Sequence, residues 1–177
     1  AEAAALVADV LAEQPSHPGA LTCTGVMALR KKQLGEAKSA LEQVVALPYL
    51  AEEADAFDTA FLLLADVYVS GHQLDQASEL VKRALSFNGS LMKGWEFLGY
   101  IHEKLDAFVD AAECYRSAWE LSNGTALGVG YKLAFNYLKA EAWIPAVEIC
   151  HAVLRVDPEY PQIRKSILRV AREQLKP

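Results

Sequence analysis

The stretch "GWEFLGYIHEKLDAFVDAAECYRSAWELSN", residues 94–123, sets large side chains beside the smallest ones. Trp95, Leu98, Gly99 and His102 stand three, four and seven positions apart, so on a helix they share one face. Ala111, Tyr115 and Ala118 do the same one helix later. A glycine inside a helix costs about 1 kcal/mol relative to alanine. That cost is offset if the missing side chain lets two helices approach and bury large neighbours, each contributing roughly 1.5–3 kcal/mol. The stretch therefore predicts a pair of antiparallel helices. Gly99 and Ala111 are its points of close approach, and Trp95, Leu98 and Tyr115 fill the flanks.

The same slots recur along the chain. Leu98, Gly99, His102, Ala111, Tyr115 and Ala118 fall, at an offset of 35, on Leu133, Ala134, Tyr137, Ala146, Cys150 and Val153. An offset of 34 upstream gives Leu64, Ala65, Tyr68, Ala77, Val81 and Ala84. A looser copy, Thr24, Gly25, Ala28, Ala37, Leu41 and Val44, lies 40 residues before that. The excess of about six residues sits around "LPYLAEEADAF" and predicts a lengthened first helix in the second pair. One more step of 34 lands on Ala3, Val7 and Val10, with Pro15 in the slot that Pro158 holds in the last copy.

These slots resemble the tetratricopeptide repeat, W-x₂-L-G-x₂-Y…A-x₃-F…P at a period of 34 residues. Residues 92–125 match best, with His102 departing from the Tyr slot and Asn123 from the Pro slot. The expected fold is all-α, a right-handed α-solenoid of tetratricopeptide-type helical hairpins with a C-terminal capping helix. Its parts are a lone second-type helix of a truncated repeat at 1–17, repeats at 18–51, 52–91, 92–125 and 126–160, and a cap at 161–177. A leading helix without its hairpin partner suits a piece of a longer array. In the cap, Ile163, Ile167, Val170 and Ala171, with Leu168 and Leu175 beside them, are expected to dock on the last pair while the basic residues face water. Pro145 and Pro161 sit where proline is tolerated, at helix starts. "FNGS" and "SNGT" offer left-handed Asn and Gly to close helices, with Ser90 and Thr125 placed to cap the next ones. Both also read as glycosylation sequons, but the repeat grammar already accounts for them.

Composition narrows the function. Hydrophobic residues make up 53% of the 177-residue chain and charged ones 23%, and no apolar run approaches a membrane span. A net charge of −6 argues against nucleic acid. Residues 161–177 carry five bases and one acid, a local +4, which leaves −10 elsewhere. No secretory signal is visible. Cys23, Cys114 and Cys150 are odd in number and far apart, which suits a reducing compartment.

No catalytic, cofactor or metal site is expected. Gly124, Gly128 and Gly130 lack dinucleotide-loop spacing, and Cys150 and His151 project about 100° apart on a helix. Repeat arrays act through surfaces. The candidate stripe on the concave side is Tyr100, Tyr131, Phe135 and Leu138, edged by Lys104 and Lys139, with Glu96 and Glu103 on the same helix face. The competing reading is that neighbouring helices cover these side chains. A basic–asparagine clamp for a C-terminal carboxylate is missing, since its stations hold Thr22, Val26, Leu62, Asp66, Glu96 and Tyr100. The residues assigned to repeat packing are Leu64, Ala65, Tyr68, Ala77, Ala84, Trp95, Leu98, Gly99, Ala111, Tyr115, Ala118, Leu133, Ala134, Tyr137, Ala146 and Pro158.

The last third is more distinctive. "GWEFLGYIHEK…DAAECYRSAWELSNGT" followed by "VGYKLAFNYLKAEAWIPAVEICHAVLRVDPEYPQIRKSILRVAREQLKP" resembles the C-terminal end of the tetratricopeptide repeat protein 21 family. "LLLADVYVSG" at 62–71 supports the likeness. The resemblance implies a non-enzymatic scaffold subunit of intraflagellar transport complex A, acting in retrograde ciliary transport and ciliary membrane-protein delivery. Its implied partners are the other complex A subunits and ciliary membrane cargo adaptors. Its implied location is the cilium or flagellum and basal body, on the cytoplasmic side. The alternative is a free-standing cytosolic adaptor that binds a peptide in its groove. If Ala111 marks a close approach, Ala111→Leu overpacks it and lowers stability by about 1–3 kcal/mol; an unchanged melting temperature contradicts that packing.

Overall fold

The computed structural model describes residues 2–176. Ala1 and Pro177, the outer limits of the first and last segments, lie outside the described residues, as does the side chain of Ala3. The chain forms two compact units that divide between Gly89 and Ser90. The first contains α1 (Glu2–Glu13), α2 (Pro18–Arg30), α3 (Leu34–Ala46), a 3₁₀ turn (Ala51–Glu53), α4 (Ala54–Ser70) and α5 (Leu74–Phe87). The second contains α6 (Met92–Lys104), α7 (Phe108–Leu121), α8 (Leu127–Lys139), α9 (Trp143–Val156), a π turn (Arg164–Leu168) and α10 (Arg169–Gln174). Among the described residues there is no strand.

Within each hairpin, small and large side chains are matched across a fixed offset of 16. Gly25 faces Leu41, and a methyl on Gly25 would lie 2.7 Å from Leu41 Cγ. Gly99 faces Tyr115, where the same methyl would lie 3.0 Å from ring carbon Cζ. At the other two hairpins the equivalent positions hold Ala65 and Val81, and Ala134 and Cys150, all four fully buried. Glycine thus stands opposite the bulkier partners and alanine opposite the slimmer ones, which keeps the interior close-packed. The close approach at Gly99 is made by the Tyr115 ring. Gly130 repeats the device in another slot: it occupies the Trp95 position of its repeat, and Trp119 of α7 supplies the bulk instead.

The turns inside the hairpins are alike. Lys32, His72, Asp106 and Glu141 are left-handed, with φ of 60°, 58°, 55° and 58°. In each, the next residue's N–H donates to the carbonyl five residues back at 2.9 Å: Gln33 to Ala28, Gln73 to Tyr68, Ala107 to His102, Ala142 to Tyr137. This is the Schellman closure, made here by four residues that carry a Cβ. The turns between hairpins differ from the sequence expectation. Asn123 and Gly124 do close α7 with φ of 50° and 72°. Asn88 has φ −130°, and the N-caps of α6 and α8 fall on Leu91 and Ala126 rather than Ser90 and Thr125.

The reason at Asn88 lies in α4 and the inserted segment before it. Tyr49 stacks on Phe87 at 4.7 Å between ring centroids and tilts against Phe57 at 5.2 Å. Its hydroxyl donates to Asp58 Oδ1 at 3.3 Å, while Asn88 Nδ2 donates to Asp58 Oδ2 at 2.7 Å. Buried Asp58 thus has both oxygens satisfied. The Asn88 amide nitrogen, where a glycan would attach, is engaged in this pair. Helix α4 runs 17 residues, against 13 for α2, α6 and α8.

The C-terminal segment also departs from a plain helix begun by Pro161. Gln162 is left-handed at φ 65°, helix starts after it, and Arg164–Leu168 form a π turn closed by the Arg169 N–H on the Arg164 carbonyl. Bonding from i to i+5 brings residues five apart onto one face. Ile163 and Leu168 both reach the core, along with Ile167 and Ala171.

Gly128 and Gly130 lie in the same helix with opposite surroundings. A methyl on Gly128 meets nothing within 4 Å; on Gly130 it would lie 2.6 Å from both Trp119 and Val153. Gly128→Ala is expected to stabilise by about 0.4–1 kcal/mol and Gly130→Ala to destabilise by about 1–3 kcal/mol. Urea unfolding of both variants checks the pair of signs.

Candidate interaction surface on α6 and α8

The stripe residues all belong to the second unit. Tyr100 on α6 is half-buried, with its ring 6.1 Å from that of Phe97. Exposed Lys104 places Nζ 5.2 Å from the Tyr100 centroid. On α8, Tyr131, Phe135 and Leu138 are half-buried and pack against the core of the unit. Tyr131 lies 6.1 Å from the Tyr160 ring, and Lys139 Nζ stands 5.6 Å over Phe135. The stripe is thus two aromatic stations, each covered by a lysine held by cation–π attraction. Tyr100 and Lys104 form one, and Phe135 and Lys139 the other; the remaining α8 residues serve the core as much as the surface.

Polar contacts tie α6 to α8. Asn136 is fully buried in α8. Its amide nitrogen donates to Glu103 Oε1 at 2.6 Å and to the Lys132 carbonyl at 2.8 Å. Tyr115 Oη, from α7, donates to the other Glu103 oxygen at 2.9 Å. One turn away, Lys132 Nζ pairs with Glu96 at 2.7 Å and lies 5.5 Å over the Tyr115 ring. Two carboxylates seven apart on α6 therefore grip two residues four apart on α8. Burial, then the charge of Glu103 and the hydrogen bond to it, push the Tyr115 hydroxyl well above the usual tyrosine range. Asn136 Oδ1 is buried without a hydrogen-bond partner, a local cost accepted so that the amide nitrogen can serve two acceptors.

Sequence reasoning placed Glu96 and Glu103 on this face but passed over Lys132 and Asn136. The usable signal was an asparagine inside the apolar run "LAFNYL". Of the packing residues, Leu64, Ala65, Ala77, Ala84, Leu98, Ala111, Tyr115, Ala118, Leu133, Ala134 and Ala146 are buried, each at most 4% exposed, and Gly99 is buried with them. Trp95, Tyr68 and Tyr137 are half-buried, the Tyr68 hydroxyl donating to Glu42 at 3.1 Å, and Pro158 is exposed. Among the described residues no three His, Cys, Asp or Glu side chains gather to hold a metal ion, and no helix is long and apolar enough to cross a membrane.

A family model described as the tetratricopeptide repeat protein 21 C-terminal ARM domain matches residues 1–172. Tetratricopeptide repeat protein 21B of Mus musculus is 43% identical over 169 residues, covering 96% of this chain and 13% of that protein. The chain thus spans about an eighth of the length of the curated relatives it matches. A crystal structure of MamA superposes with a TM-score of 0.71 at 19% identity, over 86% of this chain and 79% of that one. YrrB, a TPR protein with an unusual peptide-binding site, superposes with a TM-score of 0.66 at 18% identity, over 98% and 82%. At such identities these two establish the fold alone, the all-α helical solenoid. The units here are two-helix hairpins spaced by 34 and 35 residues from Leu64 to Leu133, shorter than armadillo-type units of about 40–47 residues, with a spacing of 40 only where the insertion before α4 lies.

The Tyr115–Glu103 bond sets a pH signature. A tyrosine with a raised folded pKa contributes stability that is complete below about pH 10, where the unfolded chain ionises, and is lost as pH climbs beyond. Tyr115→Phe is expected to cost about 1.5–3 kcal/mol at neutral pH and to flatten the alkaline fall above about pH 10. Denaturant titrations across pH 7–11 check both; a variant as stable as wild type with an equally steep fall contradicts them.

Proposed function

The chain belongs to the tetratricopeptide repeat protein 21 family, and from that premise we propose that it is the C-terminal, non-enzymatic scaffold part of an intraflagellar transport complex A subunit. Its work is to be bound by other proteins, as the helical-hairpin fold suits. The observation that carries this reading is the family match along residues 1–172, nearly the whole chain. In this reading the subunit acts in retrograde ciliary transport and in delivery of membrane proteins to cilia. It resides in the cilium and basal body on the cytoplasmic side. Its partners are the other complex A subunits and ciliary membrane cargo adaptors.

The stations we assign to contact are Tyr100 with Lys104 and Phe135 with Lys139. Amphipathic side chains of this kind suit a partner helix or an extended segment. Because Tyr131, Phe135 and Leu138 pack on the core, a surface test should spare them. Affinity capture from ciliated cells with this chain as bait is expected to recover complex A subunits. Tyr100→Ala combined with Lys104→Glu and Lys139→Glu is expected to reduce that recovery at least fivefold, a loss of about 1 kcal/mol of binding, with an unchanged melting temperature. Recovery of chaperones alone would contradict the ciliary reading, and saturable binding of one short linear motif in its place would establish the adaptor.

A further inference from the structure

The C-terminal segment carries a surface that the α6–α8 face does not use. A groove of about 360 Å³ is lined by Arg164, Leu168, Arg169, Arg172, Glu173 and Lys176. Four cations against one carboxylate give it a charge of 4 − 1 = +3 on a chain whose net charge is −6. The π turn assembles this lining. With the Arg169 N–H bonded back to the Arg164 carbonyl across five residues, the two arginines line one groove together with the nearly buried Leu168.

The internal attachments of these cations are few and uneven. Arg164 Nη2 donates to the Pro158 carbonyl at 3.0 Å, and Arg172 Nη2 meets His151 Nε2 at 2.9 Å; both contacts fix the guanidinium but leave its charge unneutralised. The one acid, Glu173, reaches Arg169 Nε at 3.8 Å with both side chains more than half exposed. Such a pair is weak and easily exchanged. The geometry presents held, unneutralised guanidinium forks whose planar donors match carboxylates two at a time.

We propose that this groove is a docking site for an acidic, Asp/Glu-rich peptide segment of a partner protein. Charge complementarity selects the occupant, and the packing of the segment selects against a membrane. A helix that lies in a lipid interface presents an apolar face to it. Here the apolar face, Ile163, Ile167, Leu168 and Ala171, is turned into the protein core at 0–5% exposure, and Leu175, 45% exposed, is a single outward leucine rather than an insertable face. This inference does not depend on the ciliary reading, which concerns a different face of the same unit.

The test uses the purified chain and a fluorescent twelve-residue peptide of alternating Asp and Glu, with a Lys peptide of equal length as control. Polarisation titrations should show saturable, salt-sensitive binding of the acidic peptide. Arg164→Glu with Arg169→Glu and Lys176→Glu, all exposed positions, should weaken it at least tenfold. Lys31→Glu with Lys32→Glu, an exposed basic pair in the first unit, should leave it within twofold. Equal losses from both variants would mean nonspecific attraction and overturn the site. Binding to phosphatidylserine vesicles that exceeds binding to the peptide, and that the groove variant abolishes, would overturn the choice of occupant. Circular dichroism of the variants confirms that helix content is retained.

Discussion

The second unit depends on one contact: the ring of Tyr115 occupies the volume that a side chain on Gly99 would take. Tyr115 is fully buried, and a methyl on Gly99 would sit 3.0–3.1 Å from three of its ring carbons. The ring has no easy way to yield, because its hydroxyl is held by Glu103. A glycine that looks costly when the helix is considered alone becomes the condition for burying Tyr115, the bulkiest fully buried side chain among the described residues.

From that contact the arrangement of α6, α7 and α8 follows. Tyr115 fixes one oxygen of Glu103, and the other oxygen takes the buried Asn136 amide. Lys132 adds a second tie to Glu96. The helices that carry the proposed contact stations are therefore locked by directional bonds as well as by apolar packing. Directional bonds fix rotation about the helix axis, which a purely apolar seam leaves loosely specified. That matters for a surface, since Tyr100 and Phe135 are useful to a partner only if α6 and α8 hold a constant rotation.

The repeat was legible because its information is carried by size. Small slots such as Ala65, Gly99 and Ala134 and large ones such as Leu64, Leu98 and Leu133 recur at a nearly constant period, and any chain that buries them this way must repeat them. The hairpin turns were hard to read, because backbone hydrogen bonds close them and the left-handed site is held by four different residues, of which His72 and Asp106 favour it mildly and Lys32 and Glu141 do not. Of the two turns whose chemistry was visible, Asn123–Gly124 formed as read, whereas Asn88–Gly89 was overridden by a long-range partner, Asp58. The π turn escaped notice for a related reason. Ile163, Ile167, Leu168 and Ala171 already share a face about 140° wide on an ordinary helix, so their burial alone does not call for the extra residue per turn. The polar tie through Lys132 and Asn136 links residues 33 and 36 positions from their partners, a pairing that follows from the hairpin stacking and not from any local pattern.

A double-mutant cycle between Gly99 and Tyr115 tests this contact most directly. In the wild-type background, Gly99→Ala should destabilise by about 1–3 kcal/mol, because the ring cannot move aside. In a Tyr115→Ala background the same change should be neutral or stabilising, since only helix propensity remains to act. Equal effects in the two backgrounds, measured by denaturant unfolding, would mean that Gly99 and Tyr115 do not shape one another.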